Sequence, residues 1–321
     1  MAKVFLTSVV EPDRYYARLE YKRLRESAAV DAFGKHELVD EPDNADLILF
    51  AERINEAGSH LEKVRKHPLV SKYRERCFVF NPRYKGIPFI PGVYSSIHRA
   101  LYDPQRVRSG HYTEVANHDI IDFRHPTKED AYLYSFVGST NTHSIRKKLA
   151  PLDHENGLFL DTSEERKDDE GLSETEYQER YVNISSNSKF ILCPRGFGPS
   201  TMRLFETMKM GRVPVIISDE WVPPEGPDWT TFSVQIAEAD VSKVPSVLRD
   251  LEDRSLEMGT KARKEWEKWF SKEVTFTRVV DWCLDIMSER RISEKWLRYT
   301  PYLYLLHPKQ SKRTLRKVLR S

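Results

Sequence analysis

The residues best suited to chemistry lie in one turn, CPRGFGPSTMRLFE at 193–206, between an apolar strand and a helical segment. Gly196 and Gly198 let the backbone approach a ligand closely, and Ser200 is a good N-cap for the helix that follows. The free amides at the start of that helix favour an anion. Arg203 lies in the first turn of the helix, where its guanidinium can hold the same anion with two hydrogen bonds.

Glu206 lies about one further turn along the face of the helix that carries Arg203. Its carboxylate is too far from the helix start to act as a cap, but it can accept hydrogen bonds from a ribose diol while arginine holds phosphates. This order of groups matches a nucleoside diphosphate. The alternative is a surface ion pair between Arg203 and Glu206, worth about 0.3–0.5 kcal/mol. The position at a strand end and the second arginine, Arg195, favour the ligand site.

A second strand end supports this interpretation. The segment YLYSFVGSTNTHSIRKKL at 132–149 runs from a strand through Gly138 into a helix that carries Arg146. In a parallel sheet the two turns can be neighbours, and Arg146 can then share the pyrophosphate. The alternative is that Arg146 is a solvated residue beside Lys147 and Lys148. Neither GxxxxGK[ST] nor a GxGxxG that opens a helix is present, which disfavours ATP hydrolysis and nicotinamide chemistry.

Strand and helix patterns alternate along the chain and predict mainly parallel sheets. The segment DFRHPTKED at 122–130 has no apolar periodicity and contains a proline, which predicts a domain boundary. We therefore predict an α/β protein with two doubly wound Rossmann-like domains that face a central cleft, at 1–125 and 126–290, and a basic extension at 291–321. The segments 240–254 and 255–290 are predicted to be helices, the latter with an aromatic stripe that lies in the core.

The composition limits the class of protein. With 321 residues and 39% hydrophobic residues the chain can bury a large core, and 51 basic against 49 acidic residues give no sign of a nucleic-acid partner. Three cysteines, Cys77, Cys193 and Cys283, cannot form a disulfide framework, and their spacing excludes a zinc cluster. The start MAKVFLTSVV is too short to span a membrane. We therefore expect a cytoplasmic protein.

The turn and the strand after it resemble the exostosin-like glycosyltransferases. The matching pattern is a strand, C-P-R-G, a short gap, S-x-x-R-L-x-E, a second gap, G-x-x-P-V-I-I and then Asp. It is carried here by Cys193, Pro194, Arg195, Gly196, Ser200, Arg203, Leu204, Glu206, Gly211, Pro214, Val215, Ile216, Ile217 and Asp219. A weaker match covers Gly138 and Arg146, whereas the amino-terminal half matches only in its general layout.

The resemblance implies an inverting glycosyltransferase of the GT-B type that needs no metal or other cofactor and holds its nucleotide sugar mainly in the carboxyl-terminal domain. Arg203 and Arg146 would neutralise the diphosphate, and Glu206 would hold the ribose. The other residues expected to form the donor site are Gly138, Arg195, Gly196, Ser200 and Asp219. Arg203 would also act in catalysis, because departure of the nucleoside diphosphate builds negative charge that a fixed cation stabilises.

An inverting transfer also needs a base that deprotonates the acceptor hydroxyl, ordinarily from the amino-terminal domain. The candidates at strand ends are Asp13, Glu52 and Asp119. Each of them also fits a surface carboxylate or a helix cap, so the base is left open.

The expected acceptor is a glycan or a lipid-linked glycan in surface polysaccharide synthesis. The final segment HPKQSKRTLRKVLRS at 307–321 is either a basic amphipathic helix on the inner face of the membrane or a solvated tail. Two other functions stay open. One is a fucosyltransferase-like GT-B enzyme with a guanine nucleotide donor, and the other is a non-catalytic module that binds nucleotide sugars or polysaccharide.

Overall fold

The computed structural model describes most of the chain, namely residues 1–10, 18–54, 59–84, 86–113, 121–127, 129–152, 155–163 and 173–300. The candidate bases Asp13 and Asp119 and the basic segment 307–321 lie outside the described residues. The chain forms two compact units. Unit 1 comprises Met1–Gly110 and Lys272–Ser321, and unit 2 comprises His111–Ser271.

The strands of the described residues are β1 Ala2–Thr7, β2 His36–Leu38, β3 Leu47–Ala51, β4 Cys77–Asn81, β5 Gly92–Tyr94, β6 Val107–Ser109, β7 Tyr132–Gly138, β8 Gly157–Asp161, β9 Ser188–Pro194, β10 Val213–Ile217 and β11 Val234–Gln235. The α-helices are α1 Leu19–Ala29, α2 Ser59–Arg65, α3 Pro68–Lys72, α4 Ser144–Lys147, α5 Glu174–Ser186, α6 Met202–Lys209, α7 Val244–Asp250, α8 Ser255–Trp269, α9 Lys272–Glu289 and α10 Glu294–Leu297.

Unit 1 contains a parallel sheet with the strand order β2-β1-β3-β4-β5-β6. The order reverses between β1 and β3, because the chain adds β2 on one side of β1 and β3 to β6 on the other. Strands β3 and β4 are buried along their whole length, as continuous apolar runs in parallel sheets are. The sequence pattern does not predict β5 and β6, because three residues are too few to show a periodicity.

Unit 2 contains a parallel sheet with the order β11-β10-β9-β7-β8. Here the order reverses between β7 and β9. Its core combines apolar side chains of β7, β9 and β10 with those of α4 and α7. The predicted fold class, two Rossmann-like units with parallel sheets, is confirmed for each unit.

The chain passes from unit 1 to unit 2 after Gly110 and returns to unit 1 at Lys272, whereas the predicted boundary lies between 125 and 126. The segment 255–290 is also two helices rather than one, because the helical run ends at Trp269 and restarts at Lys272. The second of these, α9, belongs to unit 1, where it packs against α1. Its stripe of apolar side chains is buried as expected, but in the core of unit 1.

Two hydrogen bonds fix α9 to α1. The hydroxyl of Ser27 donates to the carbonyl of Lys272 at 2.5 Å and accepts from the amide of Phe276 at 2.8 Å. Ser27 is buried, so the bonds also satisfy polar groups at the start of the helix. None of the helices in the described part of the chain is long and apolar enough to cross a membrane.

Candidate functional site

The candidate site lies at the carboxyl edge of the sheet in unit 2. Strand β7 ends at Gly138 and strand β9 ends at Pro194, and these two strands are neighbours at the point where the strand order reverses. Ligands of open parallel sheets bind outside the carboxyl ends of the strands at such a point. Both predicted turns therefore lie at the same edge, as the sequence predicts.

Arg146 joins the two turns. Its Nε donates to the carbonyl of Arg195 at 3.0 Å, and its Nη1 donates to the carbonyl of Ser139 at 3.0 Å. A third bond runs from Nη2 to the carbonyl of Pro194 at 3.3 Å. Arg146 is buried, so the alternative of a solvated helix residue is wrong. Burial, and next the positive charge of Arg203, lower the pKa of Arg146 to about 9.

Arg203 is the second buried guanidinium at this edge. Its Nη2 donates to the carbonyl of Val137. The Nε and Nη1 atoms are buried and have no hydrogen-bond partner among the described residues. A buried donor without a partner costs about 1–3 kcal/mol, and more on a charged group. An anion that accepts from these two atoms would remove that cost.

The two guanidinium groups approach each other over one aromatic ring. The Cζ atoms of Arg203 and Arg146 lie 4.6 Å and 5.7 Å from the ring centroid of Phe136. No carboxylate forms a salt bridge with either arginine within the described ranges. The alternative of a surface ion pair between Arg203 and Glu206 is wrong, since both side chains are buried. The local charge is positive and suits an anion with more than one negative charge.

Two glycines make room for these guanidinium groups. A Cβ atom at Gly138 would lie 2.4 Å from Nη2 of Arg203. A Cβ atom at Gly196 would lie 3.0 Å from Nη2 of Arg146 and 3.4 Å from the hydroxyl of Thr142. The two contacts with arginine atoms are shorter than ordinary van der Waals distances. A side chain at Gly138 would therefore displace Arg203, and one at Gly196 would displace Arg146.

Glu206 is buried and accepts a hydrogen bond from the hydroxyl of Tyr181 at 2.6 Å through Oε2. Burial, and next the negative charge of Glu206, raise the pKa of Tyr181 well above its usual value. The tyrosine hydroxyl therefore stays protonated and remains a donor. The role of Glu206 toward a ribose stays a prediction, and Tyr181 is a partner that the motif does not contain.

The Tyr181→Phe variant tests this pair. Loss of one hydrogen bond to a buried carboxylate is expected to lower the free energy of unfolding by about 1.5–3 kcal/mol. We expect weaker binding of a nucleoside diphosphate, because Glu206 loses the group that orients it, and isothermal titration calorimetry measures the change. The Tyr177→Phe variant on the same helix is the control, since the hydroxyl of Tyr177 contacts Thr162 instead. Equal affinities of wild type and Tyr181→Phe would contradict the positioning role.

Ser200 does not cap helix α6. The N-cap residue is Thr201, and its side chain makes no capping hydrogen bond. The helix starts one residue later than predicted because Pro199 and Ser200 remain part of the turn. Ser200 is nevertheless buried at the turn, one residue before the cap.

Arg195 and Asp219 are connected through Glu238. Nη1 of Arg195 lies 3.5 Å from Oε1 of Glu238, and the amide of Asp219 donates to the same oxygen at 3.3 Å. The amide of Glu238 in turn donates to Oδ1 of Asp219 at 3.0 Å. The Nε of Arg195 is buried without a partner among the described residues. Arg195 therefore adds a third guanidinium at the end of β9, held partly by a carboxylate that lies outside the motif.

Thr142 is a further polar residue that the sequence does not single out. Its hydroxyl is buried, has no hydrogen-bond partner among the described residues, and lies beside Gly196 and Arg146. Its position four residues after the end of β7 gives no recognisable sequence signal, so only the fold shows that it lies at the site. A hydroxyl here can donate to the same anion as the arginines.

Glu52, the one candidate base among the described residues, lies in unit 1. Its side chain is fully buried and accepts hydrogen bonds from the amide of Val9 and from His60. The predicted absence of a metal cofactor stays a prediction. Across the described ranges no group of three or more His, Cys, Asp or Glu side chains is arranged to hold a metal ion.

Comparison with known proteins identifies the segment that carries this site. Residues 112–251 match the family model described as Exostosin GT47 domain. The chain is 35% identical over 92 residues to the Exostosin-1 homolog of Caenorhabditis elegans, which covers 28% of this chain and 24% of that protein. It is 25% identical over 177 residues to Exostosin-1 of Drosophila melanogaster, covering 50% of this chain and 23% of that protein. The chain thus spans about a quarter of the length of these relatives.

A solved glycosyltransferase from Rickettsia africae aligns with a TM-score of 0.43 and 10% identity over 89% of this chain and 98% of that chain. The matched family segment contains all the donor-site residues between Gly138 and Asp219. The match of the family model confirms the resemblance to the exostosin-like glycosyltransferases over residues 112–251.

Proposed function

We propose that the protein is an inverting glycosyltransferase that transfers a sugar from a nucleoside diphosphate sugar to a glycan or lipid-linked glycan acceptor. The observation that carries the proposal is the pair of buried guanidinium groups, Arg146 and Arg203, at the strand ends of the exostosin-like segment. Two donor atoms of Arg203 have no partner in the described part of the chain. A diphosphate supplies acceptors for them and negative charge for both arginines.

The chemistry of the transfer explains why this arrangement is useful. As the bond between the sugar and the diphosphate breaks, negative charge collects on the leaving oxygen. Guanidinium groups that are already fixed by backbone carbonyls need no reorganisation to stabilise that charge. Arg146 is held by three carbonyls and Arg203 by one. We expect Arg146 to position the diphosphate and Arg203, with its two unpaired donors, to stabilise the departing charge.

We infer the acceptor class from the proposed role of the protein and not from any surface of the described residues. A surface polysaccharide precursor is the acceptor that we propose, with attachment to a membrane through the basic segment 307–321, which lies outside the described residues. We propose a cytoplasmic setting, and a donor site in which arginines take the place of a metal ion.

A thermal-shift panel tests the donor site. We expect one nucleotide among UDP, GDP, ADP and CMP to stabilise the wild type by about 2.7 kcal/mol when it is present at about a hundred times its own dissociation constant. The Arg203→Gln variant should lose that shift. The control is Arg263→Gln, because Arg263 is a half-buried helical arginine in the same unit that pairs with Glu267.

The outcomes of the panel separate the functions. A shift with GDP alone would favour the guanine nucleotide donor of a fucosyltransferase-like enzyme. A shift without sugar transfer or slow donor hydrolysis would leave a binding module and contradict the enzymatic proposal. A shift that persists in Arg203→Gln would remove this edge of the sheet from the donor site.

A further inference from the structure

Unit 1 contains a cavity of about 280 Å³ at the amino-terminal edge of its sheet. Cys77, the first residue of β4, and Pro91, the residue before β5, belong to its wall. All of its lining residues lie in unit 1. Doubly wound sheets bind their usual ligands at the carboxyl edge, so this cavity is a site of another kind. Its volume is close to the lower end of ligand pockets, about 300–1,000 Å³, and suits a small molecule.

Part of the cavity wall is apolar. It includes the side chains of Val70, Phe89 and Ile90. The thiol of Cys77 donates to the carbonyl of Leu69 at 3.3 Å, and burial raises the pKa of this thiol to about 12. The thiol therefore stays neutral at physiological pH. An apolar group can be buried against this part of the wall without meeting a thiolate charge.

Basic side chains outnumber acidic ones among the described residues of the wall. The cations are Arg65, Lys66, Arg74 and Arg298, and the carboxylates are Glu62 and Glu294. Glu62 pairs with Arg65 at 2.7 Å and with Lys66 at 3.4 Å. Glu294 is neutralised by a buried arginine behind it. Neither Arg74 nor Arg298 forms a salt bridge within the described ranges, so the positive charge of the wall is concentrated on these two.

The two arginines have donors to spare. Arg74 makes no hydrogen bond with any described residue of the chain. Nη2 of Arg298 donates to the hydroxyl of Tyr299, whereas its Nε is buried and has no partner among the described residues. A guanidinium binds the oxygens of a phosphate with two parallel hydrogen bonds. A phosphate monoester carries about −1.5 to −2 charges at pH 7 and matches two guanidinium groups better than a single carboxylate does.

The segments that carry these arginines are connected to each other. The hydroxyl of Ser293 donates to Oε1 of Glu75 at 2.5 Å, and the amide of Glu294 donates to Oε2 of the same carboxylate at 3.2 Å. Arg74 directly precedes Glu75, and Arg298 directly follows α10. The hydrogen bonds of Glu75 therefore hold the two arginine-bearing segments side by side.

We propose that this cavity binds a phosphate monoester with a ring-shaped or apolar body, either a sugar phosphate or the headgroup of a lipid phosphate. Arg74 and Arg298 hold the phosphate, and the apolar part of the wall covers the body. The inference goes beyond the proposed function, because none of the donor-site residues lines the cavity.

Isothermal titration calorimetry of the full chain tests the site with inorganic phosphate, glucose 1-phosphate and dihexanoyl phosphatidic acid. We expect one of the two esters to bind about tenfold or more tightly than inorganic phosphate, because its body is buried. Arg74→Gln and Arg298→Gln should each weaken binding of that ester about tenfold or more, as loss of a hydrogen bond to a charged group does. Val70→Phe fills the cavity but keeps the cations, and it should also weaken binding. The ester that binds distinguishes a sugar phosphate from a lipid phosphate.

The matched control is Arg291→Gln. Arg291 is exposed, follows α9 like Arg298 and does not line the cavity, so its loss should leave the affinity unchanged. Arg203→Gln should leave it unchanged too, and loss of binding in that variant instead would place the ester in unit 2 and overturn the inference. Equal affinities of wild type and Arg74→Gln, or esters that bind no better than inorganic phosphate, would also overturn it. The titration does not use sugar transfer, so a failure of the proposed function is a separate result.

Discussion

The Arg203→Gln variant is expected to retain about one thousandth of the wild-type kcat/KM for sugar transfer. Removal of one fixed donor from a site where negative charge develops costs about 10²–10³-fold, and loss of a guanidinium that stabilises a phosphoryl group costs about 10³–10⁵-fold. Arg203 is a fixed donor and also a guanidinium, and two of its buried donor atoms have no partner among the described residues. Steady-state kinetics with the donor found in the nucleotide panel measure the effect.

Two further variants of the same site make that result interpretable. Arg203→Lys keeps the charge but not the fork of donors, so its loss should be intermediate. Gly138→Ala leaves Arg203 in the sequence but places a Cβ atom 2.4 Å from its Nη2, so it should reproduce much of the loss. Wild-type kcat/KM in a folded Arg203→Gln protein would exclude a catalytic role for this side chain, and Arg263→Gln shows whether any arginine of the unit gives the same loss.

The donor edge can be predicted from the sequence because its signals are local. Strand ends, glycines and arginines lie within two short segments, and the rule for parallel sheets brings those segments together. The structure confirms that Arg146 reaches across to the turn at Arg195. The close approach at Gly138 and Gly196 explains why these positions lack side chains.

The rest of the site depends on packing between distant segments. Tyr181 meets Glu206 from a helix 25 residues earlier, and Glu238 reaches Asp219 from 19 residues later. No spacing rule connects such pairs. The N-cap of α6 could not be predicted from residue type either, because Ser200 is the more favoured N-cap type and yet Thr201 occupies the position.

The boundary between the two units could not be predicted from the sequence for a different reason. An amphipathic pattern gives the buried face of α9 but not the sheet against which that face packs. The structure shows that the contacts are with α1, through Ser27 and the first turn of α9. A chain that leaves one unit and returns to it cannot be distinguished from two sequential units by periodicity alone.

The Arg106→Met variant is expected to lower the free energy of unfolding of unit 1 by about 3–5 kcal/mol, because it leaves a buried carboxylate without its cation. Arg106 and Glu294 are both buried, and they form two hydrogen bonds at 2.9 Å and 2.7 Å. Nη1 of Arg106 also donates to the carbonyl of Pro88 at 2.8 Å. Glu294 follows α9, so the pair connects the returning segment to β6. Chemical denaturation measures the change.

A double variant separates the ion pair from the rest of the packing. Arg106→Met with Glu294→Met removes both buried charges and should recover a large part of the loss, because apolar side chains of similar volume often replace a buried pair at little cost. Recovery should be incomplete, since the carbonyl of Pro88 still lacks its donor. The exposed pair of Lys72 and Asp43 is the control, and Lys72→Met should change stability by less than about 1 kcal/mol. If Arg106→Met were as mild as Lys72→Met, the buried ion pair would not be a main support of the segment that returns to unit 1.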